Sequence, residues 1–200
     1  MSDRLHAAWT LIGRVCVLLV GLSLVGCGAK SVPDAGAQRA APSPAPQATA
    51  PVTLLPVDRA AYDAAIAKQH GKVVLVDFWA TWCLPCVEQL PHTLELGQKL
   101  AERGLAVVTV SCDDPAETDR IQQFLTEKQA GGATNLISQF GGSPQTMDAF
   151  EVTSGAVPFY KLYDRTGKLR QTFGIDPAAK KQYTPADIEA AVEQLLAERD

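Results

Sequence analysis

The chain has 200 residues, long enough for one domain with appendages, and 46% hydrophobic with 20% charged residues is the balance of an ordinary globular core. A formal net charge of −4, spread without acidic or basic blocks, excludes the clustered Lys and Arg of a nucleic-acid-binding protein.

The first segment is MSDRLHAAWTLIGR, carrying Arg4 and Arg14, followed by an uncharged, mostly apolar run over residues 15–26. Those 12 residues fall short of the roughly 20 that a spanning helix needs. A basic start, a short apolar run and small residues at its end predict an export signal over 1–26. Its last residues and the next one, LVGC, resemble the bacterial lipobox, which implies cleavage before Cys27 and lipidation of its sulfur. Residues 27–52 are rich in Ala and Pro and poor in large apolar side chains, which predicts an extended, semi-stiff tether rather than a packed element. The remainder, 53–200, has globular patterning.

Within that domain, DRAAYDAAIAKQHGK predicts a helix capped by Asp58 and ended by Gly71, with Ala61, Ala65 and Ile66 on one side. KVVLVDFWA is a β-rich apolar run, the pattern of a strand buried on both faces. A helix is expected from just after Trp82 to Arg103, kinked at Pro91 and closed by Gly104. LAVVTVSC predicts a second buried strand, and PAETDRIQQFLTEKQ an amphipathic helix with Pro115 in its first turn. TNLIS suits a short strand and SPQTMDAFE a short helix. VPFYKLYDRTGKLRQTFG predicts a hairpin turning at residues 164–167, and TPADIEAAVEQLLAERD a closing helix with Thr184 as N-cap and Pro185 in its first position. Strand–helix–strand at the front implies a parallel pair with a right-handed crossover. The late hairpin adds antiparallel strands, giving a mixed sheet with helices on both faces.

The chemistry concentrates in FWATWCLPC, residues 78–86. A structural zinc site needs four ligands, and no second Cys or His pair accompanies Cys83 and Cys86. A purely structural disulfide across so short a loop contributes least to stability. A dithiol where a strand hands over to a helix has a chemical rationale: the helix N-terminus stabilises a thiolate and lowers its pKa from about 8.5 into the range of roughly 3.5–7.5. Cys83 would then attack, and Cys86, one turn inside, would resolve the mixed disulfide. Trp82 offers an apolar wall beside the attacking sulfur. With Cys16 in the signal and Cys27 lipidated, Cys83, Cys86 and Cys112 remain, an odd count that is no disulfide framework.

VDFWATWCLPC is similar to the active-site segment of thioredoxins, and residues 55–200 resemble the membrane-tethered, exported thioredoxins of the TlpA and ResA type. The resemblance implies a thioredoxin-like three-layer α/β/α sandwich with a mixed central sheet and a TlpA-type insertion over residues 130–156. It implies Cys83 as nucleophile and Cys86 as resolving cysteine. It also implies a buried acid at Asp77 able to relay the proton of Cys86, and a cis-proline at Pro158 that frees the backbone of Val157 to pair with an incoming chain. The expected protein is an exported, lipid-anchored monomer facing the periplasm or cell exterior. It would reduce protein disulfides with electrons from a membrane protein, and carry no metal and no cofactor. VTSGAVPFY keeps the glycine and proline of the corresponding segment in cytochrome-c-maturation thioredoxins but lacks its acid, which counts against apocytochrome c as substrate.

Two competing functions follow from the same residues. One is a peptide- or partner-binding module with redox incidental, which would survive loss of both cysteines. The other is a thiol peroxidase, which needs Thr and Arg framing the cysteine; TWCLPC lacks that frame. Cys112 is either a third redox thiol or a buried small apolar residue, the common fate of cysteine. Asp113 and Asp114 read as a solvated turn and a helix-start charge, and the Gly131–Gly132 and Gly141–Gly142 pairs as mobile loops.

Overall fold

The computed structural model describes residues 51–198. The expected signal over 1–26, Cys27 and nearly all of the expected tether lie outside them. Among the described residues no helix is long and apolar enough to cross a membrane.

Six strands form one sheet in the order β1-β4-β3-β2-β5-β6: β1 (Leu54–Val57), β2 (Val73–Trp79), β3 (Leu105–Ser111), β4 (Thr134–Ser138), β5 (Phe159–Tyr163) and β6 (Leu169–Gly174). The first four run parallel, while β5 and β6 are antiparallel, so the sheet is mixed as expected. All seven residues of β2 are buried. Its side chains alternate between two apolar layers. Val74, Val76 and Phe78 meet Tyr62 and Ile66 of α1 (Arg59–Ala67) and Ile121 and Leu125 of α3 (Thr118–Glu127). Val73 and Leu75 meet Leu96 and Leu100 of α2 (Leu84–Leu100) and Ile188, Val192 and Leu195 of α5 (Pro185–Ala197). Helix α4 (Pro144–Ala149) follows β4.

Several expectations are refined. Strand β1 was not anticipated: LLPV is short, contains Pro56 and leaves Leu55 exposed, so it lacks a strand's usual signature. It lies at the sheet edge, where a proline removes no interior ladder bond. Val52, the last residue of the expected tether, is already buried, and its carbonyl accepts a hydrogen bond from Gln122 Nε2 at 2.8 Å. In α1 the inward residues are Tyr62 and Ile66, while Ala61 is exposed. Tyr62 wins that place because its ring packs against Phe78 and Phe150 and its hydroxyl lies 3.0 Å from that of Tyr163. Helix α2 ends at Leu100; residues 101–103 tighten into a 3₁₀ turn before Gly104, whose φ of 94° suits the absence of a Cβ. The helix expected from Pro115 likewise starts with a 3₁₀ turn, Pro115–Glu117, before α3 begins. The stretch read as an insertion contributes β4, an interior strand between β1 and β3, together with α4.

Helix α5 covers the second apolar layer and begins with reciprocal capping. Thr184 Oγ1 accepts from the Asp187 N–H at 3.4 Å, and Asp187 Oδ2 accepts from the Thr184 N–H at 2.8 Å. Replacing Thr184 by Ala removes this cap and is expected to lower stability by about 1 kcal/mol, read as a lower urea midpoint with an unchanged slope.

Candidate active site

The cysteines occupy the junction between β2 and α2. Cys83 is the N-cap of α2 and Cys86 lies within its first turn; the two are joined by a disulfide, with Cα atoms 5.2 Å apart. The Cys86 N–H donates to Cys83 Sγ at 3.3 Å. Cys83 Sγ also lies 3.6 Å from the carbonyl oxygen of Val157, and the Val157–Pro158 peptide bond is cis. Cys86 is sealed at 1% exposure, whereas Cys83 keeps 7%. An incoming sulfur therefore reaches Cys83 first. Trp82 (62% exposed) and Leu84 flank that opening with apolar surface facing solvent. When the disulfide is reduced, the Cys86 N–H and the helix start favour a thiolate at Cys83, and the Val157 carbonyl accepts from a thiol there.

Asp77 lies in β2, 1% exposed, directly across the ladder from Tyr160 of β5. Its Oδ2 accepts from Thr93 Oγ1 at 2.9 Å, and its Oδ1 is buried with no partner among the described residues. Burial raises the Asp77 pKa to about 7, against a smaller lowering by the Thr93 hydrogen bond. Cys86 and Thr93 are seven residues apart on α2, two turns along one face. One helix thus carries both the inner sulfur and the hydroxyl that holds the acid. Thr93 was not singled out in the sequence; its place two turns below Cys86 was the available signal.

The turn before Cys83 is closed by the Cys83 N–H bonding to the Ala80 carbonyl at 3.2 Å. Its Thr81 is bound by Asp113, which the sequence reading had placed in solvent. Asp113 is instead fully buried. Its carboxylate accepts from the Thr81 N–H at 3.1 and 3.0 Å, from Thr81 Oγ1 at 2.5 Å and from Ser111 Oγ at 2.7 Å. Asp114 does cap the following 3₁₀ turn, accepting from the Ala116 N–H at 2.9 Å. Cys112 is a free thiol, buried, and its pKa is pushed up to about 12 by burial first and then by Asp113 and Asp77. It is held as a neutral thiol. The second glycine pair serves close approach rather than looseness: a Cβ on Gly142 would lie 3.1 Å from the Cys112 carbonyl oxygen and 3.2 Å from Trp82 Cζ2. Gly142 seats the Trp82 ring. No group of three or more His, Cys, Asp or Glu among the described residues is arranged to hold a metal.

A mixed sheet between helical layers, a Cys-x-x-Cys pair at a helix start and a cis-proline against the outer sulfur define a thioredoxin-fold protein. Comparison with known proteins agrees. The chain belongs to the AhpC/TSA family, whose profile matches residues 43–188. It is 39% identical over 108 residues to the thiol-disulfide oxidoreductase ResA of Oceanobacillus iheyensis, covering 54% of this chain and 41% of that one. It is 26% identical over 129 residues to the ResA of Bacillus anthracis, covering 64% of this chain and 57% of that one. The chain spans about half the length of these relatives. Among solved structures, a thioredoxin-like superfamily protein superposes with a TM-score of 0.54 at 21% identity, over 67% of this chain and 86% of that one. The oxidised form of a thioredoxin-like protein gives 0.50 at 26% identity, over 64% and 80%.

Two outcomes follow. A group whose pKa is raised by folding binds its proton more tightly in the native state, so Asp77 costs stability as pH rises from its unfolded value near 4 through about 7. Asp77→Asn is expected to match the parent in urea unfolding at pH 4 and to exceed it at pH 8, by at most about 4 kcal/mol for a rise from 3.8 to about 7. Gly142→Ala is expected to push the Trp82 ring off its seat, because the Cys112 backbone on the other side cannot yield; a changed Trp emission with an unchanged far-UV spectrum is the readout.

Proposed function

We propose that this chain is a membrane-tethered thiol–disulfide oxidoreductase acting through Cys83 and Cys86. The observation that carries the reading is the disulfide at the α2 start, with the outer sulfur facing the Cys86 N–H and lying against the Val157 carbonyl beside a cis-proline. The relatives named ResA support it, as does a buried acid with a pKa near 7 two turns along the same helix face.

The reaction begins with the reduced pair. The Cys83 thiolate attacks one sulfur of a substrate disulfide; an S–S bond forms between them, and the substrate's other sulfur leaves as a thiolate and takes a proton. Cys86 then loses its proton, with Asp77 as the eventual acceptor two turns along the helix, and attacks Cys83 Sγ. The Cys83–Cys86 bond closes and the second substrate sulfur departs as a thiolate, protonated in turn. Two electrons have passed to the substrate. With a pKa near 7, Asp77 can take the Cys86 proton and release it again at neutral pH. The extended substrate would lie along the Val157 backbone, pairing as an added strand, with Trp82 as an apolar wall.

The substrates are protein disulfides, and a membrane protein returns two electrons to the pair after each cycle. Residues 1–26 act as an export signal, lipid on Cys27 anchors the chain, and residues 27–52 hold the catalytic domain off the bilayer as a monomer facing the periplasm or exterior. The Thr81 hydroxyl donates to Asp113 and accepts from Arg120, with neither side chain bonded to Cys83, which argues against a peroxidase frame around that sulfur.

The deciding experiment equilibrates the full chain, in detergent, with thiol redox buffers and counts free thiols by mass. A reversible two-electron couple near thioredoxin's, roughly −270 mV, is expected; one near roughly −120 mV would make the protein an oxidant, and no couple would leave a peptide-binding module. Cys86→Ser should accumulate a mixed disulfide through Cys83 that the parent resolves.

A further inference from the structure

Residues 80–83 link the end of β2 to the start of α2; Ala80 and Cys83 are buried in the core, while Thr81 is half-buried and Trp82 exposed. Trp82 points to solvent, and within the turn a single backbone bond, from the Cys83 N–H to the Ala80 carbonyl, closes the loop. What holds the turn to the sheet is Asp113. Its two oxygens take the Thr81 N–H and hydroxyl, two residues before Cys83, and its anchor on the other side is Ser111 of β3. Ser111 Oγ also accepts from the Asp113 N–H at 3.1 Å, which fixes the carboxylate's own backbone. From α3, Arg120 closes the outer side: its Nη2 lies 3.0 Å from Thr81 Oγ1 and 3.9 Å from Asp113 Oδ1, while pairing with Glu117. Gly141 lies close to the backbone of Asp113 and Asp114.

We propose that Asp113 is the positioning residue of the nucleophile. By clamping Thr81 it sets the turn, and the turn sets Cys83 Sγ between the Cys86 N–H and the Val157 carbonyl. This rests on Cys83 being the attacking sulfur. The Cys86 N–H reaches Cys83 Sγ at 3.3 Å only where the turn places the sulfur, so displacing the turn weakens the thiolate's stabilisation. An acid suits the clamp because three donor groups converge on it. An amide in its place has one acceptor oxygen, and its NH₂ must face at least one of those donors.

The test compares Asp113→Asn, Thr81→Ser and Thr81→Val with the parent. Each full-length protein is reduced, and the rate at which iodoacetamide alkylates Cys83 is followed against pH. The titratable and charged groups around the clamp are Arg120, Glu117, Asp114 and the Cys112 thiol, and all are unchanged in these variants. Loss of positioning raises the Cys83 pKa, so Asp113→Asn should alkylate about tenfold more slowly at neutral pH. Its equilibrium with a thiol redox buffer should move toward the disulfide by a similar factor, because a less stable thiolate disfavours the reduced form. Thr81→Ser, which keeps the hydroxyl, should behave as the parent, and Thr81→Val should fall between. Parent-like values in Asp113→Asn overturn the proposal. Faster alkylation also overturns it, since that is removal of a negative charge without loss of position. If Asp113→Asn does not fold, Thr81→Val decides, and parent-like behaviour there sinks the proposal. The parent's own reversible couple, measured alongside, tests the oxidoreductase reading separately.

Discussion

The parallel pairing of β2 with β3 ends with Trp79 opposite Ser111, and one more bond, from the Cys112 N–H to the Trp79 carbonyl at 2.8 Å, carries it just past the last rung. Two loops therefore leave the sheet at the same level and side by side. One becomes the turn to Cys83 and the other carries Asp113. Their adjacency is a property of strand register, not of either loop. A slip of one residue would reverse which side chains face each layer and separate Thr81 from its partner. The seven fully buried residues of β2 make such a slip costly, and in this sense the packing of the core is what locates the sulfur.

Asp77 and Asp113 show how one residue type takes two roles under similar burial. Asp113 meets three donor groups and an arginine beyond them, so its oxygens are occupied and its work is mechanical. Asp77 has one donor, Thr93, and an oxygen with none, so desolvation dominates and the acid holds its proton until near neutrality. The difference arises from the neighbours: Thr93 from α2 for Asp77, and for Asp113 the adjacent Ser111 together with the turn at Thr81.

Much of this was legible before any coordinates. Strands β2 and β3 appeared as β-rich, largely apolar runs, the hairpin announced its turn at residues 164–167, and Asp58 and Thr184 cap the helices they were expected to cap. The cysteine pair and its position at a helix start also followed from the local pattern. What stayed hidden were features decided by contacts across the chain. Strand β1 is a four-residue edge strand with a proline and gains its identity from pairing with β4. Asp113 looked like any acid after a strand, because nothing local reveals that Thr81 arrives from 32 residues away. The Gly141–Gly142 pair carried the composition of a loose loop, while the reason for Gly142 is the Trp82 ring above it. In α1 the many alanines left the helical phase ambiguous, and Tyr62 settled it through two aromatic neighbours and a hydroxyl partner.

The buried thiol of Cys112 has a consequence for how the protein meets an oxidising environment. As a neutral group with a pKa near 12 and no accessible surface, it stays silent toward disulfides and alkylating reagents while the fold is intact. Among the described residues, native chains therefore present only the pair at the helix start to thiol chemistry. A chain that opens loses this quarantine, since Cys112 then ionises like any exposed cysteine and competes with Cys86 for Cys83. The third sulfur thereby turns unfolding itself into a covalent event, with mispaired chains as its record.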